Sequence, residues 1–360
     1  MGRNRSRRIT ISEIAAQAGV SLPTVSRVLK GRPDVAPATR ERIEKLLEES
    51  GYLQNKASST SKGRRKSSSG VIDVVALELD NPAVVEIVRG VEAALEKTEL
   101  SLALSFTHDD QSEERQWLDR IRDRGTNGVI FVRAQDHTPY IQELQRRGIP
   151  FIVCNHFGEL SPDIPSVGAT NWTGGRMAVE YLLSLGHRRI GFIGGPASMR
   201  CSLDRVAGYR TALETAGVPI DPDLIRPGDF RLQTGYTQAC ALLALPDPPT
   251  AIFASNDMQA MGVYKALYLR NIHIPERMSV IGFDNIPFAN VVSPGLTTIH
   301  QPLFDIGRMA TTMLMRLIAG ETLESTRMEL ATPLITRESC APPFSGSLEL
   351  GKESRQSARE

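Results

Sequence analysis

Two groups of side chains in this 360-residue sequence could do specific chemistry. The first lies near the N-terminus and comprises Thr10, Ser21, Leu22, Pro23, Thr24, Ser26 and Arg27. A guanidinium on an exposed helix can donate two bonds to guanine O6 and N7, worth about 1–3 kcal/mol of base discrimination. A leucine beside it can meet a thymine methyl. The second group is spread along the chain. Arg205 begins a helix after the loop GGPASMRCS, Phe230 follows Pro227-Gly228-Asp229, Asn256 and Asp257 follow the run TAIFAS, and Asp284 closes SVIGFD. The carboxyl ends of parallel strands are where α/β proteins hold small ligands, so these positions predict a ligand cleft. Catalytic patterns are missing: there is no GxxxxGK[ST], GxSxG or HExxH, and glycines 191–195 in GFIGGP lack the GxGxxG spacing. His108, His137, His156, His187, His273 and His300 are dispersed, and Cys154, Cys201, Cys240 and Cys340 form no CxxC pair. No enzyme activity, structural metal or cofactor is expected from this pattern.

The elements that must position the first group are short helices. Thr10-Ile11-Ser12-Glu13 has the capping-box order, Ile11–Ala18 follows, and Gly19 stops it. Ser21 can cap a second helix, and Pro23 is tolerated in its first turn because that N–H has no helical partner. This helix runs to Leu29, and a third amphipathic helix spans 37–50. Small or apolar Ala15, Val20 and Val25 stand where the first two helices must pack. A capped helix, a tight glycine turn and a second helix of about eight residues predict a helix-turn-helix. Residues 56–69, KASSTSKGRRKSSS, hold no apolar side chain larger than Ala57 and read as a linker.

From Val71 onward, short apolar runs alternate with helical stretches. Strands are expected at VIDVVALEL, SLALSF, GVIFV, PFIVC, RRIGFIG, TAIFAS, SVIGFD and LTTIHQ. Helices are expected at 82–96, 112–124, 138–147, 174–185, 203–216, 234–243 and 258–269, with a last one ending near Ile318. Strands alternating with helices of this length build parallel sheets from βαβ units. About 270 residues exceed one ordinary core, which predicts two such subdomains.

The overall charge of +1 hides an asymmetry. Residues 1–69 hold 15 Lys/Arg against 6 Asp/Glu, and residues 70–360 hold 27 against 35. A basic head on a mildly acidic body points to a polyanion partner for the head alone. No run of about 20 apolar residues exists to span a bilayer. The basic N-terminus leads into no apolar leader, so the expected location is the cytoplasm and no membrane partner is expected.

The stretch ITISEIAAQAGVSLPTVSRVLKGRPDVAPATRERIEKLLEESGYLQN resembles the N-terminal domain of the LacI/GalR family of transcriptional regulators. Its blocks IAAQAGVS, TVSRVLKG, TRERI and GYLQN stand in that family's order and spacing, and the likeness continues to about residue 339. It implies an all-α helix-turn-helix head over 9–55, a basic hinge over 56–69, and a two-lobed effector-binding and dimerisation core over 70–338. That core would be α/β and periplasmic-binding-protein-like, with two parallel-sheet subdomains. Residues 339–360 are expected to be a disordered tail. The resemblance implies that Leu22, Pro23 and Arg27 read bases, while Thr10, Ser21, Thr24, Ser26, Asn55 and Lys56 touch phosphates or place the helix. Pro23 departs from the polar residue frequent there. Ser61 departs from the apolar wedge of the family's hinge, so Lys62, Arg64, Arg65 and Lys66 are expected to hold the DNA electrostatically instead.

For the core, the resemblance implies a small effector between the lobes, with a mono- or oligosaccharide expected. Arg205 and Asp284 would clamp hydroxyls, Asn256 would add a bond and Phe230 would stack on the sugar. From the other lobe Asn81 and Pro82 would approach, with Leu79 behind. Arg133, Trp172 and Gln301 complete the expected contacts. Thr170-Asn171 departs from the Asp-Asn frequent at the start of TNWTGG. The function implied is a homodimeric repressor of carbohydrate-utilisation genes that binds a pseudo-palindromic operator and is released by sugar. The alternative is a corepressed regulator of the same fold that responds to a purine or another metabolite.

Overall fold

The computed structural model describes residues 11–29, 35–49, 70–76, 79, 81–106, 111–132, 138–155 and 161–344. Thr10, Asn55, Lys56, Lys62, Arg64, Arg65, Lys66 and Arg133 lie outside them. The chain divides between Ser69 and Gly70 into two compact units.

In the first unit, α1 (Ile11–Ala18), α2 (Leu22–Leu29) and α3 (Pro37–Glu49) enclose a small core. Ile14, Ala18, Val25, Val28, Val35, Ile43 and Leu47 are buried there, with Ala15 also buried and Val20 half-buried against them. The turn between α1 and α2 is made by Gly19 at φ +64°, a backbone state that glycine enters without steric penalty. Val20 N donates to Ala15 O at 3.0 Å and closes α1.

The second unit is two α/β lobes. The N-terminal lobe carries β1 (Val71–Ala76), β2 (Ser101–Phe106), β3 (Thr126–Val132), β4 (Phe151–Cys154) and β5 (Ser166–Ala169). Its helices are α4 (Pro82–Leu95), α5 (Gln111–Arg124) and α6 (Thr138–Arg147). The chain then crosses over at Thr170. The C-terminal lobe follows as α7 (Asn171–Ser184), β6 (Ile190–Ile193), α8 (Arg200–Thr215), β7 (Ile225–Arg226), α9 (Leu232–Leu243) and β8 (Ala251–Ala254). It continues as α10 (Asp257–Tyr268), β9 (Ser279–Asp284), α11 (Phe288–Val291) and β10 (Thr297–His300). A second crossover at Gln301-Pro302 returns the chain to the first lobe as α12 (Leu303–Ile318) and β11 (Arg327–Leu330). A third, through Thr332, brings β12 (Leu334–Ile335) back to the second lobe.

The sheet orders are β11-β5-β4-β3-β1-β2 and β12-β10-β9-β8-β6-β7. The paired strands are parallel except β10 with β12. Apolar runs such as Val129–Val132 and Ala251–Ala254 are fully buried because helices cover both faces of a parallel sheet. Three helix pairs cross at close range on glycines. Gly90 and Gly307 do so for α4 with α12, Gly175 and Gly208 for α7 with α8, and Gly235 and Gly262 for α9 with α10.

The expected strands are present. Of VIDVVALEL, Val71–Ala76 is strand, and Leu77 and Glu78 lie outside the described residues. Strands β5, β7, β11 and β12 were not expected from the sequence. Ser339, expected in a disordered tail, is instead fully buried, and its Oγ accepts from Thr297 N at 2.8 Å and donates to Val280 O at 2.6 Å. Residues 339–341 therefore belong to the C-terminal lobe, and those beyond 344 lie outside the described residues.

Candidate effector cleft and nucleic-acid surface

Helix α2 of the head buries Val25 and Val28 and turns Leu22, Pro23 and Arg27 outward. Leu22 is 50% exposed, so its side chain is open to a partner. Ser21 O accepts from Thr24 N at 2.9 Å, and the two hydroxyls lie 2.8 Å apart, so this turn is built by both side chains. Leucine and arginine thus share the exposed face of a helix slim enough for a major groove.

In the second unit, the ends of the strands and the starts of the helices of both lobes face a cleft. It is lined by Ala83, Asn155, Cys201, Arg205, Phe230, Asp284, Gln301 and Leu303. Arg205 organises it. The residue is only 3% exposed, and its Nε donates to Asn171 Oδ1 at 2.9 Å, Nη1 to Ser255 O at 2.5 Å and Nη2 to Gln301 Oε1 at 2.8 Å. Asp284 Oδ1 lies 3.7 Å from Nη2. The guanidinium sits 3.6 Å from the Phe283 ring centre and 5.7 Å from that of Phe230. A buried guanidinium is tolerated only when its donors are satisfied. Two of the three acceptors come from lobe crossovers, Asn171 beside the first and Gln301 in the second.

Asp284 ends β9 with φ +108°, and Asn285 follows at φ +59°. Such backbone costs about 1–3 kcal/mol per non-glycine residue and persists only where neighbours over-determine it. One such neighbour is the fully buried Asp257, whose Oδ2 accepts from Ile286 N at 2.9 Å and whose Oδ1 accepts from Thr298 Oγ1 at 2.6 Å. Burial and the charge of Asp284 push the Asp257 carboxyl well above the ordinary carboxylate range, while Thr298 and the amides of Ile286 and Asn285 pull it back. Met199, Cys201 and Phe230 form a small apolar wall on the C-terminal side.

Of the residues expected at this site, Arg205, Phe230, Asp284 and Gln301 line one cleft. Asn81, Pro82, Trp172 and Asn256 do not line it. Asn81 caps α4, its Oδ1 accepting from Ala83 N at 3.0 Å, and Pro82 fills the first helical position. Asn256 caps α10 through Gln259 N at 2.9 Å, and its Nδ2 donates to Phe230 O at 3.0 Å. It therefore holds Phe230, at φ +67°, in place. Trp172 is 39% exposed, with the Arg176 guanidinium 5.3 Å from its ring centre. Asn155 was missed. It lines the cleft at φ +48° with its buried Oδ1 unpartnered. The one signal for it was its position directly after the strand PFIVC. Among the described residues no three His, Cys, Asp or Glu gather as a metal site would need, and no helix is long and apolar enough to cross a membrane.

Residues 10–55 match the bacterial regulatory proteins of the lacI family, and residues 179–340 match the periplasmic binding protein-like domain. The HTH-type transcriptional repressor CytR of Escherichia coli (strain K12) is 35% identical over 332 residues, 92% of this chain and 96% of that protein. The solved complex of the transcriptional regulator CelR with cellobiose superposes with a TM-score of 0.70 at 32% identity, covering 92% of this chain and 100% of that one. The lac repressor dimer bound to operator and the anti-inducer ONPF gives 0.67 at 26% identity, covering 93% and 100%.

Proposed function

The chain belongs to the lacI family of bacterial regulatory proteins, and from that premise we propose that it is a repressor whose hold on its operator is set by a sugar in the Arg205 cleft. It is a DNA-binding transcriptional regulator. Leu22, Pro23 and Arg27 meet base edges, while Thr24 and Ser26 serve the phosphates, with one helix-turn-helix on each half of a pseudo-palindromic operator. The exposed Tyr268, Leu269, Phe288 and Val291 of the C-terminal lobe suit a surface covered by a second copy.

The observation that carries the effector reading is the bonding of Arg205 to Gln301 and Asn171 inside a cleft that also holds Asp284, Asn155 and Phe230. A sugar needs acceptors for paired hydroxyls, amide groups, and an aromatic face for its C–H surface. This wall supplies each. A ligand taking bonds from Arg205 and Gln301 competes with the contacts at the crossovers, so binding and lobe geometry are linked. The relative solved with cellobiose supports a carbohydrate as effector.

A thermal-shift panel of mono- and oligosaccharides, with purines as the competing class, tests this reading. A ligand at 100 times its Kd adds about 2.7 kcal/mol to the folded state. The expected result is a shift with a sugar that disappears in Asp284→Ala. A shift with purines alone would replace the sugar reading by corepression.

A further inference from the structure

We propose that His300 and Arg337 are positioning residues for Asp284, acting through Asn285, and that their grip is lost when His300 takes up a proton. The inference rests on the effector reading only for its consequence, since Asp284 is the cleft carboxylate being positioned.

His300 is the last residue of β10 and the Cα partner of Asp284 in β9. Its backbone N donates to Pro333 O at 2.8 Å, and the next residue, Gln301, donates its N to Asp284 O at 3.1 Å. The Asn285 side chain is gripped on both ends. Arg337 Nη2 donates to Asn285 Oδ1 at 2.8 Å, and Asn285 Nδ2 lies 3.2 Å from His300 Nδ1. A guanidinium can only donate, so Oδ1 faces Arg337 and the amide NH₂ faces the imidazole. Nδ1 must therefore accept, and the ring proton sits on Nε2.

A second proton on the ring turns that acceptor into a donor facing a donor. Asn285 cannot restore the bond by flipping, because its NH₂ would then meet the Arg337 guanidinium. One of the two grips is lost in either orientation. They act on the residue next to Asp284, and both residues have left-handed backbone that relies on such grips. The charged groups around His300 are Asp284 across the β9–β10 pair, Arg337 through Asn285, Asp305 at the start of α12, and Asp257 of α10, which accepts from Thr298 of the same strand and from the amide of Ile286. The Glu338 carboxylate lies beside Gly295. Burial pushes the imidazole below its ordinary value, against the pull of Asp305. The switch therefore operates on the acid side of about pH 6.5.

Hydrogen–deuterium exchange of the amides of residues 284–286 at pH 7.5 and 4.5, corrected for the intrinsic pH dependence, tests this in the full chain without any effector. The wild-type segment is expected to exchange about fivefold faster once His300 is protonated, the factor one lost hydrogen bond supplies. His300→Asn offers an oxygen in place of Nδ1 at both pH values, and Arg337→Met frees Asn285 to flip and accept from the imidazolium. Both variants are expected to abolish the acceleration. A wild type with no acceleration, or either variant retaining it, overturns the proposal. Neither result bears on whether a sugar binds the cleft, which the thermal-shift panel reads separately.

Discussion

His187 shows what a single side chain contributes here. It is 1% exposed and joins three segments: Nδ1 lies 2.8 Å from Thr250 Oγ1, and Nε2 lies 2.9 Å from Ala341 O and 3.1 Å from Ser279 Oγ. A carbonyl only accepts, so Nε2 carries the proton and Nδ1 accepts from Thr250. Burial pushes this imidazole below its ordinary value, opposed by the Ala341 bond. The sign follows from linkage. As pH falls below about 6.5, the unfolded chain takes up a proton that the folded one still refuses, so stability present above that pH is lost as pH drops toward the folded value. The urea midpoint of the core is expected to fall between pH 7.5 and 5.5. His187→Gln should lose about 1–3 kcal/mol at pH 7.5, from the partners left unsatisfied, and show a shallower pH slope. An unchanged slope in the variant would assign the pH dependence elsewhere. In the sequence His187 is only one of six dispersed histidines, because its ties to Thr250, Ser279 and Ala341 span up to 154 residues and leave no local pattern. Asn81 and Asn256 teach the converse. A polar residue between strand and helix suits a ligand contact and a helix cap equally, and both of these side chains are caps. Arg205, Asp284 and Gln301 were legible as cleft residues from their places after strands and from the family resemblance. The left-handed backbone of Asn155 was not legible, because no local motif announces it.

At the scale of elements, the helix pairs set the cleft. A Cβ on Gly175 of α7 would lie 2.6 Å from Arg205 O and 2.9 Å from Arg205 Cα in α8. Alanine gains about 0.5–1 kcal/mol over glycine in helix propensity, and overpacking costs about 1–3 kcal/mol or more. The neighbour is backbone and cannot swing aside, so overpacking wins. Gly175→Ala is expected to lower the thermal midpoint and to weaken the response to a bound sugar by displacing Arg205. A variant as stable and as responsive as wild type would contradict the tight α7–α8 crossing. The main strands were legible because their apolar runs are buried on both faces. The short β5, β7, β11 and β12 were not. They have two to four residues each, and β11 is defined by pairing with β5 across more than 150 intervening residues. Helices α7, α8, α9 and α10 begin one to three residues earlier than expected. The polar first turns, such as Asn171-Trp172-Thr173, carry little helical signal of their own and are held by the packing of later turns.

At the scale of the whole molecule, the basic head and the acidic two-lobed core divide the work, and the account stands on the coupling between them. Three crossovers join the lobes, and two of them reach Arg205. The third is tied to the first by a 2.9 Å contact between the Thr170 and Thr332 hydroxyls. A ligand that rearranges Arg205 therefore acts where the lobes are joined. Coupling of this kind amounts to about 1–3 kcal/mol, a change of about 5- to 150-fold in affinity, and it is reciprocal. The most direct test is the affinity of the protein for an operator duplex, selected by the protein from a random pool, with and without the sugar that gives the largest thermal shift. The predicted result is operator binding weakened about 5- to 150-fold by the sugar in the wild type and unchanged by it in Asp284→Ala. Operator affinity that stays the same while the sugar demonstrably occupies the cleft would contradict the account.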